Sequence, residues 1–396
     1  MNESHTLIAG NPLQARPVVL QIGPEPGSNG GIATVIEETL KFESGRFEQR
    51  SCHSWVPNGK LASFPRAIRA AFTMFTSRRR WSIAHVHLSE YGSFLREGAL
   101  ILLARTLRRP AVATLHGANL TQHVAKYPRL SRAIFNSTTI VLCLGENQAN
   151  IVARIAPNVP LRIVGNPIHY TAFPSSIPPA PPRRDQPTFV YAGEVGQRKG
   201  HDRLIRAWDT VLQEYPEARL RIAGPLAKNY EVRPQQGVDY LGNLDRKALL
   251  EEYSKATATV LPSRAEVLPM VLIESHAQGT PTVYTKVGEW QVFADAPGIR
   301  LVNVHDESED VVVSSIAQAM IDLAAIPATD PTLLISWSRD RFSTQVVSNQ
   351  LDCAYHAAIS GENPSALHNL RNSSGLDVKT PLPTNTIGTQ RSTEEI

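Results

Sequence analysis

Short β-rich runs alternate with helical stretches along most of this 396-residue chain. β-Branched and apolar runs predict strands at 18–22, 83–87, 111–115 and 140–144, and again at 189–191, 220–223, 257–261 and 282–284. Helical apolar spacing fills the gaps, for example at 34–41, 202–214 and 247–254. Strands that follow one another through helices run parallel, with right-handed crossovers and helices on both faces of the sheet. The pattern predicts an α/β fold of doubly wound parallel sheets and excludes helical bundles and β-sandwiches.

The length exceeds what one ordinary core fills and suits two domains. They meet at FPSSIPPAPPRRDQP, residues 173–187, where six of fifteen residues are proline. Such a segment is neither a helix nor a central strand and reads as a semi-rigid linker. The expected organisation is a Rossmann-like domain over 1–172, the linker over 173–187, a second Rossmann-like domain over 188–336 and a helix over 337–360. Residues 361–396 are polar, lack an apolar period and are expected to be disordered. Ligands of open parallel sheets bind beyond the carboxyl ends of the strands, so chemistry is expected in a cleft between the domains.

The net charge of +4 conceals an asymmetry. Residues 1–173 hold 19 Lys and Arg against nine Glu and no Asp, whereas the remainder holds 21 basic against 27 acidic residues. The basic half is expected to meet phospholipid, nucleic acid or a phosphorylated acceptor. Nucleic acid is disfavoured, because the arginine run is not interleaved with aromatic residues and no nucleic-acid module is present. Cys52, Cys143 and Cys353 lie far apart with no CxxC pair, which speaks for a reducing compartment and against a disulfide framework or a zinc site. The first residues lack the basic start and long apolar run of a signal peptide, and the longest apolar stretch, near 99–104, is far short of a membrane span. A cytoplasmic location is expected.

After the first predicted strand comes GPEPGSNGGIATVIEETL. Gly30 and Gly31 let a ligand approach the backbone, and the following helix offers free N–H groups to an anion. A plain strand-to-helix turn would look the same, and the spacing is not GxGxxG. His116 closes the strand at 111–115, where an imidazole can donate to a sugar hydroxyl and shuttle a proton. His85 and His87 also end a strand, with nothing to separate them from structural histidines. In the second half, YAGEVGQRKGHDRLI puts Arg198 and Lys199 before a helix expected to open near His201. Cations there can hold a diphosphate, Lys as a point charge and Arg as a fork, unless the turn is merely solvated.

EVLPMVLIESHAQGTPTV, 266–283, puts Glu266 on the loop after the strand at 257–261 and Glu274 on a helix from near Met270 to Gly279. Both carboxylates can then face one ligand and accept from the vicinal hydroxyls of a sugar or a ribose. The N–H groups of Met270 and Val271 point the same way, toward an anion. A surface loop charge at Glu266 and a half-buried ion pair at Glu274 are the structural alternatives.

These segments together resemble the retaining family 4 glycosyltransferases of GT-B fold, two Rossmann-like domains facing a cleft. The resemblance is carried by E-x7-E as Glu266 and Glu274 within PSRAEVLPMVLIESHAQGTPTV, and by the Gly30-Gly31-Ile32 turn. Gly193-Glu194-Val195-Gly196-Gln197-Arg198-Lys199-Gly200 stands in the place of G-R-L-x-x-x-K-G, and YLGNLDRKALLEEYSKATATVLPS is a further similar stretch. The resemblance runs over roughly residues 17–360, with a helix at 337–359 that looks like the family's segment crossing back to the first domain. It implies that Lys199 binds the donor's diphosphate, Glu274 the ribose and Glu266 the donor sugar, with His116 beside the sugar and Gly31 close to the phosphates. It also implies a UDP- or GDP-sugar as co-substrate, retention at the anomeric carbon, no protein nucleophile, no cofactor and no metal. Consistently, the chain contains no D-x-D.

Two positions depart from the family pattern. Glu194 stands where the family has arginine, a charge reversal beside the expected diphosphate that Arg198 would have to offset. Val267 stands where glycine is common. Glu194 is the motive for an alternative, a catalytically weak or inactive nucleotide-sugar-binding scaffold of the same fold.

FPRAIRAAFTMFTSRRRW, 64–81, can be drawn as a helix with Phe64, Ile68, Ala71, Phe72 and Phe75 on one face and Arg66, Arg69 and Arg80 opposite. Either that apolar face packs on its own sheet, or the helix lies on an anionic membrane surface. With Arg105, Arg108 and Arg109, the second option expects a peripheral enzyme on the inner face of the cell membrane. Its acceptor would be a lipid-linked or polysaccharide glycan in cell-envelope or exopolysaccharide synthesis.

Overall fold

The computed structural model describes residues 16–28, 30–42, 45–55, 60–175, 186–326 and 329–361. Most of the proline-rich segment expected as a linker, and all but Gly361 of the expected tail, lie outside the described residues.

The first half builds β1 (Val18–Pro24), β2 (Glu48–Trp55), β3 (Ile83–Leu88), β4 (Ala111–Leu115), β5 (Ile140–Cys143) and β6 (Leu161–Ile163) into a six-stranded sheet of order β2-β1-β3-β4-β5-β6. The second half builds β7 (Thr188–Ala192), β8 (Arg219–Ala223), β9 (Val238–Gly242), β10 (Ala258–Leu261), β11 (Thr282–Thr285) and β12 (Ile299–Val302) into another, of order β12-β11-β10-β7-β8-β9. The strand pairings within both sheets are parallel. Both sheets are doubly wound, and the strand order reverses between β1 and β3 in one and between β7 and β10 in the other. At such a reversal neighbouring crossovers leave to opposite faces, so a crevice opens at the carboxyl ends.

Helices α1 (Gly31–Leu40), α2 (Lys60–Thr76), α3 (Gly92–Thr106), α4 (Leu120–Lys126), α5 (Pro128–Asn136) and α6 (Glu146–Ile155) belong to the first half. Helices α7 (His201–Glu214), α8 (Arg246–Lys255), α9 (Met270–Ala277), α10 (Glu309–Ala325), α11 (Pro331–Phe342) and α12 (Thr344–Ser360) follow. Alternate residues of each strand feed separate cores. Leu20, Ala84 and Val86 pack with Met74 of α2 and Ile101 of α3, whereas Val19, Ile83, Val112 and Ile140 pack with Leu351, Ala354 and Tyr355 of α12. Burial on both faces leaves β3, β4, β10 and β11 buried along their whole length, so they read as mostly apolar and β-branched runs without charged residues.

The chain end departs from expectation. In place of one helix over 337–360, α11 and α12 are separated at Ser343, whose ψ of 147° is extended. Trp337 and Phe342 of α11 pack with Leu272, Ile273 and Phe293 of the second half, while α12 covers the first sheet. At the break, Ile168 N–H donates to the Phe342 carbonyl (2.8 Å) and Thr344 N–H to the Ile168 carbonyl (3.0 Å). Backbone pairing with the segment around Ile168 takes the groups that a continuous helix would have used.

Candidate active site

The loops after β7 and β10 meet at the reversal point of the second sheet. After β7, a turn of 3-10 helix over Gln197–Lys199 leads into α7. Between them Gly200 has φ 77°, and a side chain there would collide with the Pro262 carbonyl of the loop after β10. Only glycine lets the two loops touch, and the contact brings their side chains together. Lys199 Nζ donates to Glu266 Oε1 at 2.6 Å, and Ser263 Oγ donates to the same oxygen at 2.7 Å. Glu266 is buried and Lys199 half-buried.

Two arginines absent from the sequence expectations brace this contact. Arg264 donates to the Gln197 carbonyl at 2.6 Å and grips Asp202 bidentately at 2.7 and 2.8 Å, so it holds the turn that carries Arg198 and Lys199. Buried Arg203 bonds Glu309 at 2.6 and 2.9 Å and donates to the Pro262 and Ser263 carbonyls. The bond from Arg203 leads the causes that hold Glu309 down to about 2. Planar, always-charged guanidinium groups suit such multi-point bracing.

Glu274 lies on α9, whose N-cap Pro269 supplies no capping side chain and leaves the first-turn N–H groups of Met270 and Val271 available. Its carboxyl is buried, and burial pushes it up to about 7, with Arg246 opposing the rise and Glu38 adding to it. Arg246, at the start of α8, bonds buried Glu38 of α1 and places Nη2 3.6 Å from Glu274 Oε1. Lys41 Nζ also reaches Glu38, at 3.2 Å. One guanidinium thus serves two carboxylates drawn from the two halves. Arg246 Nη2 and Glu38 Oε2 nevertheless remain buried without a hydrogen-bond partner.

Besides Glu38, the first half supplies a chain of imidazole, amide and hydroxyl groups. His116 Nε2 lies 2.9 Å from His87 Nδ1, and His87 Nε2 lies 2.8 Å from Gln21 Oε1. Gln21 Nε2 donates to Tyr355 Oη of α12 at 3.0 Å, and His85 joins the same hydroxyl at 2.7 Å and Thr114 at 2.7 Å. Burial holds His85 and His116 down to about 3 and His87 well below the ordinary imidazole value. Burial therefore disfavours the charged form of each ring. Half-buried His116 thus stands at the cavity end of a hydrogen-bonded chain, with its basicity lowered by desolvation. In the sequence His87 ends a strand with nothing to separate it from a structural histidine. The available signal was H-x-H, because residues two apart in a strand share a face and stack their rings, here 4.6 Å apart.

The other expected residues fall as follows. Gly30, with φ 133°, is the N-cap of α1, and a side chain on Gly30 or Gly31 would meet nothing within 4 Å. Arg198 is exposed and faces Glu194 at 4.0 Å, so the charge reversal at Glu194 is matched by the arginine next to Lys199. A cavity of about 800 Å³ joins the halves, lined by Gly117, Thr121, Asn147 and Arg154 on one side and by Glu266, Val267 and Glu289 on the other. Glu289 accepts from the backbone N–H groups of Asn147 (3.0 Å) and Gln148 (2.8 Å), so a carboxylate of the second half caps α6 of the first. The cavity brings Glu266 and the residue after His116 to one space. Lys199 reaches it through Glu266, whereas Glu274 connects to the first half by way of Arg246 and Glu38. Among the described residues no group of three or more His, Cys, Asp and Glu could hold a metal ion.

The family profile described as Glycosyl transferases group 1 matches residues 174–318. A glycogen synthase of Mycobacterium tuberculosis is 25% identical over 227 residues, 53% of this chain and 54% of the relative. The chain thus spans about half the length of that curated relative. Two solved structures share the fold. Sucrose-phosphate synthase from Thermosynechococcus elongatus superposes with a TM-score of 0.63 at 17% identity, over 88% of this chain and 100% of that one. Anabaena HepE in complex with UDP superposes with a TM-score of 0.62 at 15% identity, over 86% of this chain and 99% of that one. Residues 174–318, which contain Lys199, Glu266 and Glu274, therefore carry the group 1 glycosyl transferase family match, on a two-sheet α/β frame of GT-B type.

Proposed function

We propose that the protein is a retaining family 4 glycosyltransferase that moves a sugar from a UDP- or GDP-sugar to an acceptor hydroxyl without a metal ion. The observation that carries this is the Lys199–Glu266 contact at the β7/β10 reversal, within the family match and beside the helix that bears Glu274. A diphospho-sugar can split this pair. Phosphate oxygens take Lys199, sugar hydroxyls take Glu266, and the ribose takes Glu274 in place of Arg246. UDP in the HepE structure accords with a nucleotide site in this architecture.

In the proposed reaction the acceptor oxygen attacks the anomeric carbon on the face from which the diphosphate leaves. The bond from that carbon to the phosphate oxygen breaks as the new glycosidic bond forms, and the acceptor's proton passes to the departing phosphate. The transition state is oxocarbenium-like. The protein contributes charge at the leaving group, from Lys199, Arg198 and the first turn of α9, and orientation, from Glu266 and His116. Gly30 and Gly31 leave room for the donor phosphates at the start of α1. The acceptor is a lipid-linked or polysaccharide glycan of cell-envelope or exopolysaccharide synthesis, reached from the cytoplasm by a chain peripheral to the membrane. Among the described residues no helix is long and apolar enough to cross a membrane.

The Glu194–Arg198 pair favours a second reading, a nucleotide-sugar-binding scaffold of the same fold with little or no turnover. A thermal-shift panel of UDP, GDP, ADP and their sugars in EDTA, on wild type and Glu274→Ala, tests the site. One nucleotide should raise the melting temperature of the wild type alone. No shift with any of them would sink the donor site. A shift with neither transfer nor donor hydrolysis would favour the scaffold.

A further inference from the structure

Helix α2 leaves its apolar stripe uncovered. Ala70 and Met74 are its buried side, set against Cys52 of β2 and the core behind it. Phe64, Ile68, Phe72 and Phe75 lie on a different stripe and are 72, 57, 67 and 52% exposed. Of the two options left open by the sequence, packing of this stripe on its own sheet is therefore the one that fails. Four large apolar side chains in one row are more than the scattered exposure of ordinary surfaces, and mark a face meant for contact.

The charge around the stripe says what kind of contact. From residue 49 to residue 89 the chain has seven Lys and Arg and no acidic residue. Arg69, Arg78, Arg79 and Arg80 are exposed, and among the described residues none of them pairs with a carboxylate. Arg78 stacks over the Phe75 ring at 5.1 Å, and Arg109 reaches the Arg78 carbonyl at 2.8 Å, which draws α3's basic end into the patch. A second copy of this chain would set arginine against arginine, which costs rather than stabilises. An anionic bilayer answers both features, apolar depth for the phenylalanines and phosphates for the arginines.

We propose that α2 docks the protein on an anionic bilayer, with Phe64, Ile68, Phe72 and Phe75 entering the boundary between headgroups and acyl chains and Arg69 and Arg78–Arg80 meeting lipid phosphates. This deepens the reading of a membrane-borne acceptor and rests on it for its purpose. Binding itself is measured without nucleotide, so it stands or falls apart from the donor site.

The test is co-sedimentation of the full chain with phosphatidylglycerol-rich and pure phosphatidylcholine vesicles. The chain should pellet with the former alone, less so as salt rises. Phe72→Ser combined with Phe75→Ser should lower the partition roughly tenfold or more, because each ring lost removes apolar area from the lipid boundary. The melting temperature should not move, since both rings are exposed. Replacing Arg78, Arg79 and Arg80 by glutamine should weaken binding and flatten its salt dependence. A chain that stays in the supernatant with phosphatidylglycerol at low salt overturns the proposal. So does a double variant that pellets like the wild type, or a vesicle-free dimer that Phe72→Ser abolishes, which would give the face to a second copy.

Discussion

The two sheets present opposite electrostatics at their carboxyl ends. In the first half His85, His87, Gln21 and Tyr355 form a buried hydrogen-bonded chain that ends on half-buried His116. In the second half Lys199–Glu266, Arg203–Glu309 and Arg264–Asp202 are ion pairs, and Arg246 links Glu274 to Glu38. Burying a charge is costly unless it is paired, so a charged lining persists only where something needs the charge. A leaving diphosphate needs it, whereas the hydroxyls of a sugar or an acceptor do not. Under the proposed glycosyl transfer, the contrast gives leaving-group stabilisation to the second half and orientation of uncharged groups to the first.

The largest expected effect lies on the charged side. Lys199→Ala should abolish nucleotide stabilisation and lower transfer by roughly 10²–10³-fold, the scale for losing one positioned transition-state charge. It should also cost about 3 kcal/mol in urea unfolding, because Glu266 is left buried without its cation. Adding Glu266→Gln should recover stability and leave transfer lost. Recovery of both would break the contrast.

Arg246→Ala comes next. Burial raises the Glu274 carboxyl to about 7 even with Arg246 opposing the rise, so removal of Arg246 should move the carboxylate's midpoint further upward. Nucleotide affinity should rise with pH through about 7 in the wild type, lose that dependence in Glu274→Gln, and shift to higher pH in Arg246→Ala. An unchanged profile in all three would remove Glu274 from the site.

On the neutral side, His87→Phe should leave UDP or GDP binding intact while transfer falls roughly tenfold, the lower end for a misplaced hydrogen-bonding partner. A loss of nucleotide binding as large as that of Lys199→Ala would erase the division of labour.

Unfolding against pH sharpens the comparison further. The Glu274 pKa is raised in the fold, so its contribution is complete below the ordinary carboxylate value of 4.5 and is lost as pH rises through about 7. His85 and His116 are depressed, so their contribution is complete above 6.5 and is lost as pH falls toward about 3. Each group has a limiting slope of about 1.4 kcal/mol per pH unit. Glu274→Gln should remove the loss between 4.5 and about 7 and leave the loss toward pH 3 in place. Glu194→Arg is the smallest change. It frees exposed Arg198 and should tighten nucleotide binding by about two- to fivefold, measured by titration calorimetry.

Legibility followed burial. The eight strands read from the sequence are the inner strands, most of them buried along nearly their whole length, with β8 the exception. The four that were missed, β2, β6, β9 and β12, are the sheet edges, where β2 alternates exposed and buried residues and β9 is only half-buried. β6, β9 and β12 are short and only partly buried, and β2 is mostly polar, so none carries a long enough run of apolar residues to mark it. In the site, Lys199, Glu266 and Glu274 were legible because a short motif carries them. Gln21, His87 and Tyr355 were not, since 334 residues separate Gln21 from its partner Tyr355. The α2 stripe was legible as a pattern, but its periodicity said nothing of which side faces the sheet.

Local patterning alone specified two doubly wound α/β units, the loops that carry the charged residues and the basic character of the first half. Each follows from forces between residues near one another in the chain, namely strand and helix periodicity and turn chemistry. Tertiary structure decided the rest. It set Lys199 on Glu266, ran one arginine between Glu38 and Glu274, joined His116 to His87 and left the phenylalanines of α2 in solvent. Those outcomes depend on which distant surfaces exclude water from which groups, and a linear order of residues does not contain that information until the chain has closed on itself.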